Sequence, residues 1–333
     1  MIDSARYDVL GVGNAIVDVL ASVDDAFLTR EDVAKGGMTL IDEARATSLY
    51  AAMPSAVEAS GGSAANTIAG VASLGGRTAY LGKVANDQLG DVFVHDIRSG
   101  GVDFDTPALS GGPATARCLI LVTPDAERSM STFLGASTLF AESDIDADKV
   151  AAAKIVYLEG YLFDREEAKA AFVRAAEIAK KHARKVALTL SDEFCVDRHR
   201  ASFRQLIRNH ADIIFANEGE LLALYETNDF DSALQQARTD SVLAFVTRSA
   251  KGSVILAGDE VHVVDAVAPT PALVDTTGAG DLYAAGALFG LARGRNLVDC
   301  GRLGSIAAAE VISHFGARPE KSLKALAEAA SVM

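Results

Sequence analysis

The sequence predicts an α/β fold: a doubly wound, mostly parallel sheet flanked by helices, with a small β-rich appendage. Three observations predict it. Strand-like and helix-like patterns alternate along most of the chain. Polar residues cluster directly after the strand-like runs. One segment, 114–134, breaks the alternation with two strand patterns around a tight turn. Alternating strands and helices imply a parallel sheet covered on both faces. Ligands in such sheets sit at the carboxyl ends of the strands.

The elements follow in order. YDVLGVGNAIVDVLASV, 7–23, reads as a β-branched strand with a glycine break. SAANTIAGVASLGG, 63–76, has helical spacing and ends in Gly75-Gly76, a suitable helix C-terminus. RTAYLGKVAND, 77–87, reads as strand and turn, and DQLGDVFVHDIRSGGV, 87–102, as a helix with a glycine stop. In 114–134 the turn at Pro124-Asp125 joins two strand patterns, a hairpin signal. AKIVYLEGYL reads as a strand, REEAKAAFVRAAEIAKKHAR as an amphipathic helix, and KVALTLSDE and DIIFANEGE as strands. VLAFVTRSAKGSVIL reads as two strands around a turn, and the chain from 280 onward as two helices. The polar clusters after strands are Asn14 with Asp18, Asp192, Asn217 with Glu220, and Thr247 with Arg248. The segments divide into a large α/β domain, 1–16, 42–110 and 135–333, and a small β unit, 17–41 and 111–134.

The totals bound the function. The chain has 333 residues, half of them hydrophobic, enough for a large core. A net charge of −14 argues against a nucleic-acid partner, which calls for a basic patch. Cys118, Cys195 and Cys300 are scattered, with no metal or disulfide spacing, as suits a reducing compartment. No stretch reaches the roughly 18 apolar residues of a membrane span. The start of the chain lacks a basic segment followed by a long apolar run, so a cytoplasmic location is expected.

The densest motif is DTTGAGD, 275–281. Glycines allow close backbone approach. Gly278, Ala279 and Gly280 can aim N–H groups at one point, and the helix that follows adds its free N–H groups and positive dipole end. This is an anion hole suited to a phosphate. Asp281 beside it would repel that phosphate unless it accepts a proton from the attacking hydroxyl. The plainer reading of Asp281 is a helix cap.

Other clusters carry two readings as well. In NEGE, Asn217 and Glu220 share a helix face. They could hold magnesium through water, or simply form a capping box. GGSAAN, 61–66, could bring backbone to a ligand or turn into a helix. Asp18 could accept two hydrogen bonds from a vicinal diol or lie at the surface. TRSAKG, 247–252, could wrap a nucleotide or make a turn. Arg128 could reach a triphosphate or be solvated. A dinucleotide fingerprint fails at Ile16, and no P-loop, HExxH pair or GxSxG elbow is present.

Taken together, GNAIVD, GGSAANTIAGVASLGG, NEGE and DTTGAGD resemble the ribokinase-like, PfkB family of small-molecule kinases, over nearly the whole chain. The resemblance implies a ribokinase-like fold with a small β lid over the site. It implies Asp281 as catalytic base and Gly278, Ala279 and Gly280 as the anion hole. Arg128 would reach the phosphates. Asn217 and Glu220 match the motif linked to magnesium. Thr247, Arg248, Gly252 and Thr277 would lie beside ATP, with Ser305 at the adenine. Asn14, Asp18, Gly61, Gly62, Ser63 and Asn66 would hold the acceptor.

Within the family, GNAIVD, LTLSDEFC and ERSMSTFLGAS are similar to adenosine kinases. This places Phe194, Tyr161, Leu162 and Met38 around a nucleoside base. The expected reaction is ATP- and Mg2+-dependent phosphorylation of adenosine, in purine salvage, by a monomer or homodimer, with K+ a further candidate ion. A PfkB sugar kinase is the alternative, and a non-catalytic nucleoside or sugar sensor a third.

Overall fold

A computed structural model describes residues 5–125, 127–240 and 243–333. Residues 126 and 242, which fall in the expected hairpin and in one expected strand, and the first four residues lie outside this set. The strands are β1 (Tyr7–Val12), β2 (Ile16–Ser22), β3 (Met38–Leu40), β4 (Val57–Gly61), β5 (Thr78–Leu81), β6 (Val102–Asp103), β7 (Ala116–Val122), β8 (Arg128–Phe133), β9 (Ala153–Glu159), β10 (Lys185–Thr189), β11 (Ile213–Asn217), β12 (Leu243–Thr247), β13 (Ser253–Ala257) and β14 (Glu260–Val264).

Nine strands form the main sheet in the order β14-β13-β12-β11-β10-β9-β1-β5-β6. β12 through β6 run parallel, while β13 and β14 are antiparallel. Side chains alternate across a strand, so each central strand feeds two cores. Val9, Tyr157, Phe215 and Phe245 point to one face, and Leu10, Leu158, Ile214 and Val246 to the other. The first face carries the helices Ser63–Ser73, Gln88–Ser99, Ala279–Ala292 and Leu297–Val311. The second carries Glu166–Lys181, Glu193–Asn209, Glu218–Tyr225 and Phe230–Asp240. Ala279–Ala292 is buried from Leu282 to Gly290. It can lie that deep because Gly286 rests directly on the backbone of Leu303 and Gly304.

Strand order reverses at β1, which has β5 on one side and β9 on the other. Such a reversal opens a crevice at the carboxyl ends of the two strands. Asn14 follows β1 and Glu159 ends β9, and the two meet there.

The second sheet has five strands in the order β3-β8-β7-β2-β4. β7 and β8 are the expected antiparallel hairpin. Three boundaries differ from the sequence reading. The run 7–23 supplies one strand to each sheet, because the glycine break lets the chain leave β1 and enter β2. β4, expected in the large domain, pairs with β2 in the small sheet. After residue 279 there are three helices rather than two, the last being Leu323–Ala329. No helix among the described residues is long and apolar enough to cross a membrane.

Candidate active site

The site forms where the small sheet meets the crevice at β1 and β9. Two adjacent glycines make the junction. Gly61 ends β4, and a Cβ there would collide with the Asp18 carboxylate. Gly62 has φ +94°, and its Cβ would strike the Asn14 carbonyl oxygen. Only glycine gives that backbone with that contact. The chain then enters the helix Ser63–Ser73, whose first turn presents Ser63 and Asn66.

Both side chains reach Asp281. Ser63 Oγ donates to Asp281 Oδ1 at 2.6 Å and Asn66 Nδ2 to Oδ2 at 3.0 Å. Burial pushes the Asp281 carboxyl above its ordinary pKa, while these two bonds and the charge of Arg318 oppose the rise. Asp18 is also raised, to about 7, by burial and by the charge on Asp281, against Arg318 and Arg128. The two carboxylates therefore face one space. The Oδ1 of Asn66 is buried without a partner.

Asn14 is fixed from behind. Its Nδ2 donates to Glu159 Oε1 at 2.8 Å, and its carbonyl accepts from the Tyr80 hydroxyl at 2.9 Å. Glu159 also accepts from Ala64 N–H at 2.7 Å. Burial raises its pKa to about 7, against these hydrogen bonds. Sequence reading missed Glu159, which ends an apolar strand and belongs to no motif.

The glycine-rich turn before Ala279–Ala292 leaves helix-end N–H groups without helical acceptors. Gly278 caps the helix at φ +78°, packed on Ala317. The Ala279 N–H is engaged by the Thr276 carbonyl at 3.2 Å. That N–H is thus engaged, while the Gly280 N–H lies in the first turn, whose amides have no helical acceptor. Gly280 has open space where a Cβ would stand.

Arg128, at the start of β8, closes this turn. Its Nη1 donates to Thr277 Oγ1 at 3.0 Å, and its Nη2 lies 2.6 Å from Asp275 Oδ2. Asp275 Oδ1 in turn accepts from the Thr277 N–H and hydroxyl. Arg128 Nε is buried with no hydrogen-bond partner, while Nη2 is held by its ion pair with Asp275. Buried donors left unmet are costly. The unmet Nε and the space at Gly280 fit an anionic group such as a phosphate.

The remaining expected residues gather at the ends of β11 and β12, where Asn217 and Thr247 are neighbours in register and Glu220 feels the charge of Asp281. Asn217 and Glu220 form a reciprocal capping box: Glu220 Oε1 and Oε2 accept from Asn217 Nδ2 and N–H, and Asn217 Oδ1 from Glu220 N–H. Burial raises Glu220 to about 7. Among the described residues no three carboxylate, histidine or cysteine side chains gather to hold a metal directly. Arg248 forks Glu218 at 2.9 and 3.0 Å and stacks over Phe230. Gly252, at φ +82°, abuts the Val264 carbonyl, and Thr247 pairs with Ser253.

Of the residues expected at a base, Phe194 is 77% exposed in the first turn of its helix, and Met38 is 50% exposed on β3. The Tyr161 hydroxyl donates to the Ser191 carbonyl at 3.2 Å. Leu162 is 3% exposed and packs into the second core. Ser305 is likewise buried, at 6%.

The mostly parallel sheet with its switch point is a ribokinase-like fold, and the similarities below make the chain a phosphotransferase with an alcohol acceptor. The chain belongs to the pfkB family of carbohydrate kinases, whose model matches residues 31–323. It is 55% identical to an adenosine kinase from Sinorhizobium meliloti, with a TM-score of 0.91 over 98% of this chain and 100% of that one. It is 51% identical to a probable sugar kinase protein from Rhizobium etli CFN 42, with a TM-score of 0.92 over 99% and 100%. A probable chloroplastic fructokinase-6 from Arabidopsis thaliana is 30% identical, over 79% of this chain and 70% of that one.

Proposed function

We propose that the protein transfers the γ-phosphoryl group of ATP to the 5′ hydroxyl of adenosine, giving AMP. The observation that carries this is Asp281, held by Ser63 and Asn66 beside the first-turn N–H groups and facing Asp18. Asp281 takes the proton of the attacking hydroxyl. The first-turn N–H groups and Arg128 meet the charge on the transferred group. Catalysis is then positioning plus charge stabilisation.

Asp18 accepts from the ribose diol, and Asn66 Oδ1 accepts a further hydroxyl. Phe194, with an open face, stacks on the base, flanked by Met38 and Tyr161. ATP supplies the phosphoryl group, and its Mg2+ would be steadied through water by Asn217 and Glu220. Thr247, Arg248 and Gly252 would line the nucleotide. The small sheet, with β4 included, serves as the lid.

The 55% identical relative over nearly the whole chain supports adenosine. The 51% identical relative supports a sugar as the second reading. ATP consumption with adenosine, other nucleosides, ribose and fructose separates them. Adenosine turned over best is expected. A sugar preferred by tenfold would replace this reading with the second, and binding without turnover would leave a sensor.

A further inference from the structure

Arg318 lies in FGARPE, 315–320, a segment with no strand or helix pattern. Its guanidinium makes three side-chain bonds. Nε donates to the Ser60 carbonyl at 2.9 Å, Nη2 to Ser60 Oγ at 2.8 Å, and Nη1 to the Ala65 carbonyl at 2.7 Å. Ser60 belongs to β4 of the small sheet and Ala65 to the helix Ser63–Ser73. One side chain therefore bridges the Gly61–Gly62 junction from both ends. Asp96 secures the same point from outside, accepting from Ser60 N–H and Oγ.

All three bonds go to neutral oxygens. Among the described residues Arg318 forms no direct ion pair, so its charge is not cancelled by a contacting carboxylate. Burial disfavours that charge, and the carboxylates that hold it are Asp96, Asp18 and Asp281, with Tyr80. The guanidinium fork is rigid and keeps its charge where an ammonium would shift.

We propose that Arg318 is a positioning residue of this site: it fixes the turn that presents Ser63 and Asn66 to Asp281, and it supplies positive charge facing Asp18 and Asp281. The proposal rests on the reading of Asp281 as base. Its consequence is a pH effect. Asp281 shares its surroundings with Asp18 on β2, Tyr157 and Glu159 on β9, Tyr161 and Glu220, all of which feel its negative charge. Arg128 faces Asp18. Against these anions and this burial, Arg318 favours the ionised base. Its removal raises the pH at which Asp281 loses its proton, so activity is lost at a higher pH as the solution is acidified.

The test is kcat/KM against pH for the full chain, with the acceptor that the wild type uses best. Wild type, Arg318→Met, Arg318→Lys and Asp281→Asn are compared, with melting curves to confirm folding. Arg318→Met is expected to move the acid limb up by about one pH unit, a tenfold loss on that limb. Arg318→Lys is expected to place its limb between those of wild type and Arg318→Met, because a buried ammonium keeps less of the charge than a guanidinium. It should raise the acceptor KM severalfold, because an ammonium cannot span the three acceptors. A folded Arg318→Met whose limb coincides with wild type overturns the proposal. If Arg318→Met does not fold, Arg318→Lys decides, and an unchanged KM overturns it. Wild-type turnover in Asp281→Asn overturns the reading of the base as well, and is recognised separately.

Discussion

The Ser63 hydroxyl donates to Asp281 Oδ1 at 2.6 Å across 218 residues of chain. The contact joins the glycine junction of the small sheet to the helix Ala279–Ala292 on the large one. Any change that moves the junction therefore moves the base.

Gly62→Ala tests this dependence. The substitution puts a side chain at φ +94° and against the Asn14 carbonyl. Strained backbone of this kind costs about 1–3 kcal/mol. A lower urea midpoint and a raised acceptor KM are expected. Wild-type values of both would show that the junction tolerates a Cβ and that its geometry is not needed.

Phe194→Ala tests the nucleoside. Base–aromatic stacking is worth about 1–3 kcal/mol, so adenosine affinity should weaken roughly 5- to 150-fold. The residue is 77% exposed, so stability should change by less than about 0.5 kcal/mol. Calorimetric titration showing unchanged adenosine affinity would remove Phe194 from the base site.

Much of this site was legible because glycine chemistry is local. A turn that needs positive φ, or a backbone that must touch a carboxylate, leaves glycines in the sequence whatever the rest of the fold does. GGSAAN and DTTGAGD carried that mark. The alternating strands were legible for a similar reason, since a strand buried on both faces is apolar throughout. What stayed hidden depends on distant partners. VEASG, 57–61, has no strand pattern of its own and becomes β4 only by pairing with β2. Glu159 and Arg318 matter through atoms more than 90 residues away. Leu162 could not be placed by pattern, because an apolar residue suits a core and a base pocket equally. The capping box at Asn217 and Glu220 shows the reverse: the local reading of NEGE was already sufficient to place its hydrogen bonds.

If Asp18 accepts from the acceptor, its titration should govern acceptor binding. Its pKa is raised to about 7, first by burial, with the charge of Asp281 adding to the rise. Below that pH it becomes protonated and loses acceptor capacity, so affinity should fall as pH drops from 8 to about 6. In Asp281→Asn the repulsion is gone, and the fall should shift to lower pH. Titration calorimetry across this range checks both statements. An identical profile in the two proteins would mean that the carboxylates do not share one space.

Closure of the small sheet has its own readout. If 17–41, 57–61 and 111–134 cover the acceptor, their amide exchange should slow when it binds, as expected of a lid that excludes water. Unchanged exchange at saturating acceptor would assign the small sheet a fixed role.

The most direct measurement is single-turnover phosphoryl transfer by Asp281→Asn. Loss of a general base costs about 100- to 10,000-fold. The asparagine can keep a hydrogen bond to Ser63 through its oxygen, so the acceptor should still bind with near wild-type affinity. A rate lowered by that factor, with affinity retained, is the result predicted. A transfer rate within a few-fold of wild type would contradict the account, because the proton of the attacking hydroxyl would then have another acceptor.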